Sequence, residues 1–408
     1  MMIDRSGQTV SRDAMIEAAL RVAREVGIGG LNGRLVAEEA GAHPSAINYR
    51  FASMDGLRRA LHETLSKRSA QWRAAQLASL TAERCEAMTA GGAIAGCIAG
   101  LAADPTRRAL MLQELREIHA YQICDLGTLP QQEWADNEAF YQSLLTRFPE
   151  TEHLTEVWLL FAEGACSHAL VDPDLCYRTA WLASLSHRVE ERLSRRTVVR
   201  TPFAAPTPSA AEDDPKWPEG KTRLVEATLR IIGRRGINQV THRRVAEEAG
   251  LSLASTTYFF SSKEELIRTA FRYLYRQTYY SSAEDAKHSG PHFTDALLTP
   301  EGQLRWEAGA HRALFFTAAR DPAFHTYLHQ LHNRGYSSAR WLHSRGATRI
   351  DRLDGIIWSL LAGGILQRVL LLPPEQRRPY VDSVSERMFQ LLFGDKDAVV
   401  RAGSGQLD

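Results

Sequence analysis

The sequence holds little that points to catalysis, secretion or a membrane. Five cysteines in 408 residues (Cys85, Cys97, Cys124, Cys166 and Cys176) form no CxxC pair and are odd in number. They read as reduced thiols of a cytoplasmic protein rather than a disulfide framework or a zinc site. No run is long and apolar enough for a membrane span, and the opening MMIDRSGQTV does not read as a signal peptide. There is no GxSxG, no phosphate-binding glycine loop, no HExxH and no catalytic Cys/His signature, so an enzyme is not expected and no cofactor is implied. A surplus of either charge is missing too: 49 Lys+Arg stand against 48 Asp+Glu, net +1. No global basic signature is present.

What is present is a repeat. VAEEAGAHPSAINYRFASMDGL from Val36 to Leu57 returns as VAEEAGLSLASTTYFFSSKEEL from Val245 to Leu266, 209 positions on. Of the 42 pairs aligned without a gap from Ile16/Val225 to Leu57/Leu266, 17 are identical, which establishes a duplicated unit. A second echo lies at offset 200, where WLLFAEGACSHALVDP from Trp158 aligns with WSLLAGGILQRVLLLP from Trp358. The duplication therefore extends beyond the first motif. The 44% apolar and 24% charged content is that of an ordinary globular protein, and the length allows three or four domains.

In the second copy, Thr241 can cap a helix with Val245, Ala246 and Ala249 on its apolar face. Gly250 stands where a left-handed residue ends that helix. Ser252 caps a short helix from Leu253 to Tyr258, and Ser262 caps the next, with Glu264 and Glu265 in its first turn. Two helices joined by a short glycine-containing turn form a helix-turn-helix, whose second helix enters the major groove. Its small residues (Ala254, Ser255) and short hydroxyls (Thr256, Thr257) suit close approach to base edges and phosphates. Tyr258 and Lys263 sit where the chain would leave the groove. The plainer reading, an αα-hairpin in a helical bundle, is weakened by the second copy. From Lys221 to Arg272 there are ten Lys/Arg against five Asp/Glu, and from Arg12 to Ala60 seven against six. The second copy thus carries the basic footprint of a nucleic-acid binder.

These residues make both copies resemble the DNA-binding domain of the TetR family of transcriptional regulators. The second matches through Thr241, Arg243, Arg244, VAEEAG, Leu251-Ser252, STTYFF and SSKEEL. In the first, Asn32 replaces Thr241, Met54 replaces Lys263, and Gly56 is expected to weaken the fourth helix. The signature covers about 50 residues of each half. Carried over position by position, the resemblance implies DNA contacts from Arg34, His43, Ser45, Ala46, Asn48, Tyr49 and Arg50 in the first copy. In the second it implies them from Thr241, Arg243, Arg244, Ser252, Ala254, Ser255, Thr256, Thr257, Tyr258 and Lys263.

The expected architecture is all-α, in two tandem units: helix-turn-helix head 11–68 and helical body 69–196, then head 221–274 and body 275–394. Five prolines and an acidic cluster mark 197–220 as a solvated linker, and 395–408 reads as a disordered tail. Helices are expected at Ala14–Val26, from Ser53 toward Arg68, and at Ala87–Ala103, Thr106–Tyr121, Glu133–Arg147, Thr155–Val171 and Asp174–Leu193. The second half is expected to follow with Lys221–Arg235, a long helix to about Tyr280, a loop at 281–293, then Glu301–Ala319, Pro322–Ser344, Asp351–Leu372 and Glu375–Phe393. Gly92, Gly96 and Gly100, four apart, are expected to allow close helix packing.

Members of that family are usually homodimers of units half this length, so the resemblance implies both halves of a dimer in one chain. The pairs 155–193 and 351–393 are then the natural interface of an intrachain pseudo-dimer, and further self-association stays open. Two heads about 34–36 Å apart would read two half-sites, here an imperfect palindrome or two unlike half-sites, because the recognition helices differ. The resemblance further implies a small-molecule effector that releases DNA, of hydrophobic character. Candidate pocket residues are Trp134, Tyr141, Trp158 and Phe161 in the first body, and Trp306, His311, Phe315, Phe316, Tyr327, Trp341 and Trp358 in the second. Each of them is more readily explained as a core aromatic. His325, His329 and His332 share a helical face but lack a completing ligand, so no metal is expected. Two rival readings remain: a regulator in which only the second head binds DNA and the first is a scaffold, and a sensor that has lost DNA binding.

Overall fold

The computed structural model describes residues 10–172, 174–195, 217–284, 293–324 and 330–394. Among them every named element is helical, and the one antiparallel bridge, Leu298 to Leu304, stands alone. The first unit comprises α1 (Arg12–Val26), α2 (Gly33–Glu39), α3 (Ser45–Phe51), α4 (Met54–Ser79), α5 (Ala82–Glu86), α6 (Ala90–Ala102), α7 (Arg108–Ala120), α8 (Leu129–Leu145), α9 (Thr155–Ala169) and α10 (Leu175–Leu193). The second comprises α11 (Glu219–Arg235), α12 (His242–Ala249), α13 (Leu253–Phe259), α14 (Lys263–Glu284), α15 (Phe293–Leu297), α16 (Trp306–Ala318), α17 (Gln330–Ser344), α18 (Arg352–Val369) and α19 (Pro374–Phe393). The chain is two tandem all-α units. No helix among the described residues is long and apolar enough to cross a membrane.

The heads repeat down to single contacts. Met15, Ile16, Val36, Phe51 and Leu57 are buried, and so are Leu224, Val225, Val245, Phe260 and Leu266, each 209 positions later. Each such side chain contributes about 1.5–3 kcal/mol of burial. Arg21 pairs with Glu39 at 2.6 Å, and its counterpart Arg230 pairs with Glu248 at 3.0 Å. Arg12 lies over the Phe51 ring, and Lys221 over Phe260. The turn glycines Gly41 and Gly250 have φ of 65° and 64°, the left-handed conformation that lets α2 and α12 stop and reverse.

Several sequence expectations change. The fourth helix runs on to Ser79, well past Arg68. At Gly56 a Cβ would lie 1.9 Å from the Phe51 carbonyl oxygen, so the absent side chain is what lets α4 begin so close behind α3. Gly92, Gly96 and Gly100 make no close approach (around Gly96 there is open space), and α6 packs instead through Ala93, Ile94, Cys97 and Ile98. α11 begins at Glu219, inside the expected linker, and α14 continues to Glu284. The rest of the linker (196–216), most of the 281–293 loop and the 395–408 tail lie outside the described residues. α16 begins at Trp306 because the preceding residues turn at Gly302, φ 75°.

The expected interface pairs meet. α9 and α18 share the most extensive contact between the units. It is reciprocal at the offset of 200: a Cβ on Gly164 would lie 1.8 Å from the Leu360 oxygen, and one on Gly364 would lie 2.0 Å from the Leu160 oxygen. This is the self-complementary geometry of a two-fold dimer, made within one chain. Ion pairs pin its ends. Arg387 of α19 holds Glu156 at 2.7 Å, and Arg192 of α10 donates to Asp354 at 2.8 Å.

Candidate nucleic-acid interface

The two short helices α3 and α13 carry the candidate surface. Thr241 caps α12 by accepting from Arg244 N at 3.2 Å, Ser252 caps α13 from Ser255 N at 3.1 Å, and Ser262 caps α14 from Glu265 N at 3.1 Å. In the first head Asn32 does the work of Thr241, accepting from Leu35 N at 3.1 Å, and Ser53 caps α4 from Gly56 N at 3.0 Å. Helix α3 begins differently from α13. Pro44 precedes it without a side-chain cap, and His43 Nδ1 lies 2.8 Å from Ser45 Oγ. Capping of the same backbone N–H groups fixes where each helix starts.

Most of the candidates are exposed. Tyr49 is 79% exposed and its counterpart Tyr258 82%, an unusual state for large rings and the same in both heads. Arg34, His43, Asn48, Thr241, Arg243, Arg244, Ser252, Ala254 and Thr257 are exposed, and Ser45, Arg50, Ser255 and Lys263 half-buried. Arg243 pairs with Glu247 at 3.0 Å, Arg244 bonds Gln239, and Thr257 Oγ1 donates to Ala254 O at 3.1 Å. Two candidates are corrected. Ala46 and Thr256 are turned inward, because they lie on the helix face that packs against the head's own core, and they are not placed to touch DNA. Thr256 occupies the position of Ile47 and its hydroxyl is buried without a hydrogen-bond partner. Conversely Leu253, which the candidates omit, is 50% exposed on the first turn of α13. An apolar side chain there suits a thymine methyl, and only its exposure reveals it.

The effector candidates fare less well. Trp134, Tyr141, Trp158, Phe161 and Trp358 are buried. Trp158 packs edge-on against Phe161, and Trp341 stacks on Trp358 with ring centroids 4.7 Å apart. These rings are core, because an aromatic that fills a bundle and one that lines a pocket obey the same apolar pattern. Tyr141 borders a cavity of about 50 Å³, enough for a water or two. Its wall is charged: Arg116 donates to Glu133 at 2.6 Å, to Glu163 at 3.1 Å and to Gln367 of the second unit at 3.0 Å. Burial opposes the charge on Arg116, but the two carboxylates outweigh it and raise its pKa. Phe315 lines a cavity of about 290 Å³ between the bodies, with His168, Trp181 and Ile356. Phe316 lines another of about 240 Å³. Trp306 and His311 are half-buried in α16. Tyr327, His325 and His329 lie outside the described residues, as does the side chain of His332.

Residues 15–61 and 224–270 each match the family model for bacterial regulatory proteins of the tetR family. Over 60 residues the chain is 38% identical to the HTH-type transcriptional regulator BetI of Brucella anthropi, which is 15% of this chain and 31% of that protein. Over 52 residues it is 38% identical to the HTH-type transcriptional regulator PksA of Bacillus subtilis, 13% of this chain and 25% of that one. The chain thus spans less than a third of the length of these relatives, a stretch the size of one head.

Proposed function

From the premise that this chain is a tandem TetR-family form, with one family head at 15–61 and a second at 224–270, we propose that it is a sequence-specific DNA-binding transcriptional repressor that carries both heads of a dimer in one polypeptide. The observation that carries the reading is the pair of equivalently exposed recognition helices, α3 and α13, joined through the reciprocal α9–α18 contact. His43, Ser45 and Asn48 of one helix face base edges that Leu253, Ala254 and Thr257 of the other meet. Unlike side chains favour unlike half-sites. A small effector that binds the released arrangement better than the DNA-bound one would lift repression.

The test is sedimentation of the whole chain with DNA fragments from upstream of its own gene, at two salt concentrations. One chain per fragment, with affinity falling steeply in salt, is expected. No salt-sensitive binding to any genomic fragment would refute DNA binding. A second reading, in which only the second head grips DNA, is favoured by the ten-to-five basic excess there against seven-to-six in the first. Substituting Tyr49 and Arg50 without loss of operator affinity would select it.

A further inference from the structure

The cavity of about 240 Å³ has walls from both heads and both bodies. Val26, Ile232, Ile237 and Phe316 supply apolar surface from α1, α11, the turn after α11 and α16. The turns that follow α1 and α11 abut beside it. Gly29 and Asn238, equivalent at the offset of 209, are so close that a Cβ on Gly29 would lie 2.9 Å from Asn238 Nδ2. The cavity therefore sits where the two heads touch. The 290 Å³ cavity, by contrast, has no head residue in its wall.

Two carboxylates of α7 line this cavity, and they are held unequally. Glu114 is satisfied: it accepts from Arg320 at 2.5 and 2.8 Å and from Ile28 N at 3.1 Å. Glu117, one turn on, is held more loosely. Its side chain is 11% exposed and pairs with Arg312 Nε at 3.6 Å, longer than a hydrogen bond. The Arg312 guanidinium lies instead over the Phe316 ring. Tyr121, a further turn along, lines the cavity with its ring, while its hydroxyl is buried beside Gly309. A buried carboxylate short of donors is costly. Burial and the charge of Glu114 push the Glu117 carboxyl up to about 7, against the pull of Arg312.

We propose that this cavity is a binding site for a small organic cation, an amine or amidine with an apolar body, whose N–H groups donate to Glu117. One site forms per chain, because it lies between the two heads rather than inside either body. An occupant would press on the turn before each helix-turn-helix and bias the distance between recognition helices, provided it binds the two arrangements unequally. That coupling rests on the proposed DNA binding; the binding site itself does not.

The experiment uses the full chain and three probes of one shape: 4-phenylbutylammonium, neutral 4-phenylbutanol and anionic 4-phenylbutyrate, titrated calorimetrically. The cation is expected to bind one per chain and at least tenfold more tightly than either isostere. Glu117→Gln should weaken the cation at least tenfold and leave the alcohol unchanged. Ile237→Trp, on a half-buried turn position, should fill the cavity and abolish binding of all three, with circular dichroism confirming that both variants keep their helix content. Equal affinity for the three probes, or cation binding unaffected by both variants, would overturn the site. Operator affinity with and without the cation is read separately. If it is unchanged with the cation bound, the coupling is refuted and the site stands. If no operator binds at all, the DNA-binding reading falls while the titration remains a test of the site.

Discussion

The two heads share a helix-turn-helix and differ in how they are held. The core of the first head is its own cluster, closed by Met111, Leu112, Leu115 and Ile118 of α7. Its link to the other unit is polar: Arg320, from the end of α16, holds Glu114, and Glu114 holds the backbone at Ile28. The core of the second head runs without a break into the bodies. There α11 lies backbone to backbone on α16, and a Cβ on Gly233 would sit 2.0 Å from the Trp306 oxygen and one on Gly309 2.2 Å from the Gly233 oxygen. The position equivalent to Gly233 in the first head is Arg24, which is exposed. Duplication has kept the helix-turn-helix and let its mounting diverge. Caps and core are fixed by the chain's local needs, whereas the mounting depends on a partner surface that was free to change in each half.

The largest effect expected from this contrast is at the polar clamp. Arg320→Ala leaves the Glu114 carboxylate buried without its cation, which costs about 3–5 kcal/mol. Burial already raises the Glu114 pKa, with Arg320 opposing. Without the arginine the carboxyl is raised further, so the folded state binds more protons than the unfolded one above the usual carboxylate range. Stability then falls as pH rises through that window, and the variant should lose more at pH 8 than at pH 5 in urea unfolding. Adding Glu114→Gln should recover most of the loss. A uniform loss at both pH values would mean that the clamp is not electrostatic.

Next comes the glycine mounting. Gly233→Ala should cost about 1–3 kcal/mol by overpacking against Trp306, whereas Arg24→Ala, at the matching exposed site, should stay within about 0.5 kcal/mol. Equal costs in thermal unfolding would erase the distinction between the two mountings.

A smaller effect concerns DNA grip. Lys263→Met gives the second head the residue that Met54 supplies in the first. Operator affinity should fall by about 1 kcal/mol and the slope of log affinity against log salt by about one. Met54→Lys should do the reverse. If neither slope moves, the charge difference between the heads does not act through this position.

How much of this was legible in the sequence follows from how local each feature is. The helix-turn-helix heads, their serine and threonine caps and the α9–α18 echo could be read because capping and turn chemistry act within a few residues, whereas Asn32, which stands out in the sequence as a departure from Thr241, is seen to cap α2 only in the structure. The mountings could not. Gly233 and Gly309 are ordinary glycines until the backbone opposite is known, and Arg320 and Glu114 lie 206 positions apart. Trp158 and Phe161 fit the apolar pattern of a pocket wall as well as that of a core, while the two larger cavities lie between units, where no single stretch of sequence outlines them. The need for glycine at position 56 was hidden for the same reason, since its close neighbour is a carbonyl and not a side chain.

Thr256 gives the smallest and most discriminating comparison. The alternation of small and polar residues in LASTTYF marks it as a DNA-facing hydroxyl, yet its counterpart Ile47 is a core residue, and Thr256 itself is fully buried. Its hydroxyl finds no acceptor, although that of Thr257 reaches Ala254 O. Valine has the same shape without the unpaired group, so Thr256→Val should stabilise the second head by up to about 1 kcal/mol. Because the side chain points away from the groove, operator affinity should not change. Thr257→Val, one residue on and exposed, should weaken operator binding with little effect on the unfolding midpoint. If Thr256→Val instead lowers operator affinity at unchanged stability, the inward orientation of that residue is wrong, and with it the face that α13 presents to DNA.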